Sequence, residues 1–142
     1  LERDGASAEA LVEAGLIYES RVGSPARAID PMRRAFDLNP EYQPARDGLI
    51  RLYELEENWA GLERLYVRWS HMVEGEDKIN GLRARADIVT TRMDDHARGV
   101  MAWREVLQLV PGDLEAIEAI AESKPEAYSG YGGSGMREIV TL

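Results

Sequence analysis

A chain of 142 residues with a formal net charge of −9 has the length of one ordinary domain, and its balance argues against nucleic acid and anionic membranes, which attract concentrated positive charge. Cysteine is missing, which excludes a disulfide frame, thiolate chemistry and a Cys-ligated zinc site, and no apolar run approaches the roughly 18 residues of a membrane span. With 44% apolar residues there is material for a core, and a single Phe among much Ala, Leu, Glu and Arg favours helix over sheet, so an all-α fold is expected.

The first predicted helix carries Leu11, Ala14, Gly15, Ile17 and Tyr18 at helical spacing. A polar turn follows. Ser24 before Pro25 then marks a new start, a hydroxyl cap with proline at the first helical position, where a missing N–H costs nothing. This second helix closes at Pro40, because the residue before a proline disfavours the helical region. Inside it, Pro31 removes one backbone hydrogen bond and crowds the carbonyl of Arg27, at about 3 kcal/mol if nothing adapts. A kink is expected there, or a tight turn over 25–30 followed by a restarted helix.

The third helix has Ala45, Leu49, Leu52 and Tyr53 on its apolar stripe, and Asn58 caps the fourth, which opens on Trp59. Trp59, just after a cap, reads as packing between repeats. The fifth carries Leu82, Ala86, Ile88 and Val89; Asp95 caps the sixth, His96 falls in its first turn, and Pro111 closes it. "DLEAIEAIAE" from Asp113 starts a seventh helix.

These elements repeat. With residue 21 laid over 92, an offset of 71, Arg21 matches Arg92, Ala26 Ala97, Arg27 Arg98, Arg33 Arg104, Leu38 Leu109 and Pro40 Pro111. An offset of 71 is twice about 35, so a middle copy is expected, and "LYELEENWAGLERLYVRW" supplies it: Tyr53-Glu54 falls 35 after Tyr18-Glu19, after which the copy runs one residue shorter. The copies span about 8–41, 42–77 and 78–112, with a partial fourth from 113, all within a helical domain over 1–122.

Helix pairs of about 34 residues, with a small residue and Tyr in the first helix, a small residue early in the second and "DLNP" or "QLVP" at its end, resemble tetratricopeptide repeats. The resemblance covers about residues 8–122 and implies an α-solenoid of antiparallel helix pairs wound as a right-handed superhelix. Gly15, Ala28 and Gly99 fill the family's small positions, Tyr18, Tyr53, Tyr66 and Trp103 its aromatic ones, and Pro40 and Pro111 its terminal proline. The middle copy departs from the pattern: "HMVEGED" replaces the closing proline, and Leu62 and Trp69 stand where small residues are usual. The half-a-TPR scaffolds of RNA processing are also similar, and "YESRVGSPAR" suits them. Their tryptophan pattern is not reproduced here, and the acidic balance fits poorly with direct RNA contact.

The stretch 123–134, "SKPEAYSGYGGS", reads as a Gly-rich loop or linker, and "GMREIVT" within 135–142 as the start of a capping helix over the last apolar face. "GYGGSG" fits a dinucleotide fingerprint formally but lacks the strand and βαβ unit that the fingerprint needs. His71 and His96, the only histidines, have no partners at metal-ligand spacing. The acidic runs 54–57 and 74–77 fall at helix ends or turns, where charge is solvated. No catalytic constellation, cofactor or metal site is expected.

What stacked helix pairs do have is a concave face lined by their first helices. By the family's pattern that groove is lined by Glu13, Leu16 and Glu19, then Asp47, Arg51 and Glu54, then Arg83, Asp87 and Thr90. The family's clamp for acidic peptide tails wants Lys and Asn where Asp47 and Arg51 stand, so that ligand is not expected. The resemblance implies instead a protein-binding scaffold that takes a peptide or helix of a partner, with Arg51 and Arg83 for carboxylates and Glu13, Asp47 and Asp87 for basic groups. The alternative is an assembly spacer that self-associates, its groove filled by its own tail or a neighbouring copy. Neither a membrane nor nucleic acid is expected as partner.

Overall fold

The computed structural model describes residues 7–123. Seven α-helices follow one another among them: α1 Ala8–Ser20, α2 Pro25–Leu38, α3 Gln43–Leu55, α4 Trp59–Met72, α5 Gly75–Asp87, α6 His96–Leu109 and α7 Leu114–Ala121, with a π-helical turn, Ile88–Arg92, continuing α5. No strand occurs among the described residues. Consecutive helices pack on each other, α1 on α2, α2 on α3, α5 on α6 and α6 on α7, as in a helical repeat. The protein is therefore all-α. The expected Gly-rich loop, beyond Ser123, and the capping helix from 135 lie outside the described residues.

The chain divides between Leu62 and Glu63 into two compact units. In the first, the stripes of α1, α2 and α3 close a core of Leu11, Val12, Ala28, Met32, Ala35, Phe36, Leu49 and Leu52, each large side chain contributing about 1.5–3 kcal/mol by leaving water. Close helix approach depends on small residues here. A Cβ at Gly48 would stand 2.8 Å from Sδ of Met32, itself 1% exposed, so nothing larger than glycine fits without moving a confined side chain. Arg27 lies over the ring of Tyr18, 5.2 Å from its centroid, and covers the aromatic edge of the α1–α2 turn.

The second unit is built on Leu82, Ala86, Val100, Trp103, Val106, Ala116 and Ile120. Its α5–α6 crossing is tight at Gly99, where a Cβ would collide with Thr90 Oγ1. A half-exposed ion network reinforces the unit: Glu63, 8% exposed, accepts from Arg85 Nε at 3.3 Å and from Arg98, while Arg85 also donates to Glu105 at 2.9 Å.

The repeat is written in backbone hydrogen bonds as well as in letters. In the first unit, Val22 N–H donates to Ile17 C=O and Ser24 N–H to Tyr18 C=O; in the second, Met93 donates to Ile88 and Asp95 to Val89, all at the same offset of 71. The offset continues in the caps, where Ser24 accepts from the Arg27 N–H and Asp95 from the Arg98 N–H. It also continues in the helix exits, Asn39 to Ala35 and Val110 to Val106. In the middle copy Asn58 N–H donates to Tyr53 C=O, which closes the turn one residue sooner, as the sequence spacing requires. Each of these turns places a left-handed residue just before the cap: Gly23 (φ +73), Glu57 (φ +54) and Asp94 (φ +53).

One of the two alternatives at Pro31 needs correction. Helix α2 runs unbroken from Pro25 to Leu38 with Pro31 inside it and buried, so no restarted helix is formed. The fifth helix begins at Gly75 and ends in the π turn.

Candidate binding cleft

The residues expected to meet a partner have different fates. Glu13, Leu16 and Asp47 are exposed on α1 and α3, and Leu16 keeps 44% of its surface in water. Arg51 is engaged within its own unit: its Nε donates to Glu19 Oε2 at 3.3 Å and a second nitrogen meets Oε1, so α3 is held to α1 by a two-point fork.

In the second unit Arg83 is likewise committed. Its guanidinium donates to Asp113 Oδ1 and, at 3.1 Å, to Asn80 Oδ1, and Nε lies 3.9 Å from Glu115. Asp113 does two jobs, because its other oxygen accepts the Ala116 N–H at 3.0 Å and caps α7. Burial pushes the Asp113 carboxyl up, but the bonds from Arg83 and Ala116, with the charge of Arg83, outweigh it and hold the group below the ordinary aspartate range. Arg83, raised chiefly by the bond to Asp113, stays charged.

Asp87 and Thr90 line a cleft of about 470 Å³ in the same unit. Thr90 Oγ1 donates to the Ala86 carbonyl at 2.8 Å, which fixes its rotamer, and the π turn brings Thr91 to the same wall. Facing residues come from α7 and its C-cap: Glu115, Glu118 and Glu122, three and four residues apart and so on one helical face. Trp103 of α6, 2% exposed, also lines the cleft, and its indole Nε1 has no hydrogen-bond partner. His96 contributes Nε2 to Asp94 at 2.9 Å, while its Nδ1 is buried without a partner.

The cleft is thus strongly acidic. Asp94 has His96 and Glu115 has Arg83 nearby, but Asp87, Glu118 and Glu122 have no paired cation among the described residues. Nor do the described residues include three or more His, Asp or Glu side chains arranged to hold a metal ion. No described helix is long and apolar enough to cross a membrane.

The resemblance to tetratricopeptide repeats pointed to Asp87 and Thr90. It did not point to Glu115, Glu118, Glu122 or Trp103 as neighbours of those two; the only available signal was the run of carboxylates on one face of the seventh helix. Compared with known families and with curated proteins, the chain matches no family model and no curated sequence.

Proposed function

We propose that the chain is a tetratricopeptide-like interaction scaffold, a right-handed α-solenoid with no catalysis of its own, that binds a peptide or helix of a partner protein. The observation that carries this reading is the cleft of the second unit, since Asp87 and Thr90, two positions that the resemblance assigns to partner contact, line it. Glu13, Leu16 and Asp47, exposed in the first unit, are further first-helix positions that the resemblance assigns to partner contact. Arg51 and Arg83 belong to the support of that surface, each tying one first helix to the next.

The test is a pull-down from the source cell's lysate with wild type and with Glu13→Lys/Asp87→Lys, both checked for helix by circular dichroism. Arg83→Glu is a poor variant, because it sets a carboxylate against Asp113 and damages the fold itself. A protein captured by wild type and lost by the variant is the expected result. Equal capture by both sinks the reading, and concentration-dependent self-association without capture favours the spacer.

A further inference from the structure

Helix α7 has two apolar sides. Ala116 and Ile120, 0% and 2% exposed, belong to the core shared with α6. Leu114, Ile117 and Ala121 form a second stripe at helical spacing, and it faces water: Leu114 is 71% exposed, Ile117 half-buried and Ala121 exposed. The repeat shows what such a stripe meets. At an offset of 35 its counterparts in α5 are Ile79, Leu82 and Ala86, and at an offset of 106 those in α1 are Ala8, Leu11 and Gly15. Leu82 and Ala86 lie in one core with Val100 and Trp103 of α6, and a Cβ at Gly15 would stand 3.0 Å from Met32 of α2. In both pairs this stripe is therefore the seat of the second helix of the same pair. On α7 the seat keeps its apolar chemistry while exposed, and an exposed apolar stripe of this kind marks a docking surface.

The chain carries a segment that fits it. "GMREIV", from Gly135, lies 74 positions after "GLERLY" of α4 and matches Met136 to Leu62 and Ile139 to Leu65, which are 1% and 5% exposed. Gly135 matches Gly61, where a Cβ would stand 2.8 Å from Cε1 of Tyr53 on α3; a glycine at that position lets the start of a second helix approach its first helix. Met136, Ile139 and Val140 fall at i, i+3 and i+4, on one helical face. Reach is sufficient. The twelve positions from Ser123 to Gly135 (from 123 to 135) span up to about 40 Å when extended, whereas the eight residues of α7 rise about 12 Å.

We infer that residues 135–142 dock as a second helix on Leu114, Ile117 and Ala121 of the same chain, which completes the fourth helix pair and closes the last apolar seat. Glu115, Glu118 and Glu122, which line the acidic cleft, lie on another side of α7 and its C-cap, so occupation of the seat is independent of the scaffold reading.

The experiment uses the full chain, which has no cysteine of its own. Hydrogen–deuterium exchange follows the amides of residues 136–142 in wild type and in Leu114→Asp, a change at the exposed first residue of α7, where the helix dipole favours a carboxylate. Wild type is expected to exchange there about tenfold or more slowly than Leu114→Asp, as the loss of a leucine contact implies. In parallel, Ala121→Cys/Val140→Cys is oxidised at low protein concentration. Its two positions mirror Gly15 and Met32, since Val140 matches Tyr66 and Tyr66 falls 34 after Met32 in the shorter middle copy. The control is Glu122→Cys/Val140→Cys, which closes a loop of nearly the same length from another side of the helix. A disulfide within one chain is expected to form about fivefold or more faster in the first pair than in the control. Unprotected amides in wild type overturn the inference, and so does protection that Leu114→Asp leaves intact. Equal oxidation rates in the two pairs overturn it as well. A disulfide formed between chains instead assigns the seat to a second copy and overturns docking within one chain. If Leu114→Asp loses helix by circular dichroism, the oxidation rates decide alone.

Discussion

Asp113 joins two helices with one carboxylate: Oδ1 receives Arg83 of α5 and Oδ2 receives the Ala116 N–H in the first turn of α7. Asp113→Ala removes both. The cap is worth about 1 kcal/mol, and the ion pair, with Arg83 28% exposed and screened by solvent, adds about 1 kcal/mol at most. Asp113→Asn keeps an acceptor for the cap and is expected to cost about half as much. Thermal or urea unfolding measures both. Acid gives a second reading of the same group. Its folded carboxyl titrates below the unfolded one, so its stabilisation is complete above about pH 4 and is lost as pH falls through the lower folded value. Asp113→Ala is expected to flatten that part of the stability-against-pH curve.

At the scale of the element, the turns before the second helices share a backbone but not a residue. Gly23 takes its left-handed conformation without cost, whereas Glu57 and Asp94 take theirs against the crowding of a Cβ. Glu57→Gly is therefore expected to stabilise the protein by about 0.5–1 kcal/mol in urea unfolding, and Gly23→Ala to destabilise it by a similar amount. No helix-propensity argument predicts a gain from adding glycine beside a helix. Other element-scale features were legible in part. Ser24, Asn58 and Asp95 were recognisable as caps because a short polar side chain before an apolar period has a single efficient use. The π turn was not, because an i+5 bond leaves no mark on apolar spacing beyond two adjacent buried residues, Ile88 and Val89, which a plain helix end also shows. Pro31 does not restart the helix, although propensity prices a proline in isolation, and here its ring is buried in a packed core.

For the molecule as a whole, composition and period were enough for the all-α class and for the order of helix pairs, since both depend on local chemistry summed along the chain. The cleft depends on something else. Asp87 and Glu118 are 31 positions apart (from 87 to 118) and line one cleft only because α6 folds between them and packs on α7. A single sequence carries the positions of such groups but not their meeting, so Asp87 and Thr90 were readable through the repeat pattern while their acidic neighbours on α7 were not.

The turn shared by residues 17–24 and 88–95 has one more consequence. Between these segments only Ile17/Ile88 and Arg21/Arg92 coincide in identity, yet two of their turn hydrogen bonds, Val22 to Ile17 with Met93 to Ile88 and Ser24 to Tyr18 with Asp95 to Val89, coincide. Such a joint is specified by its length far more than by its letters. Natural drift can rewrite the residues freely while any gain or loss of a single position is penalised, which erodes resemblance to other proteins and leaves the architecture intact. The segments are interchangeable parts. Replacing residues 17–24 by the sequence of 88–95 is expected to keep the helical circular dichroism signal and to shift stability by no more than about 1–2 kcal/mol, whereas deleting one residue from either segment is expected to cost more than about 3 kcal/mol by turning the following helix out of its core.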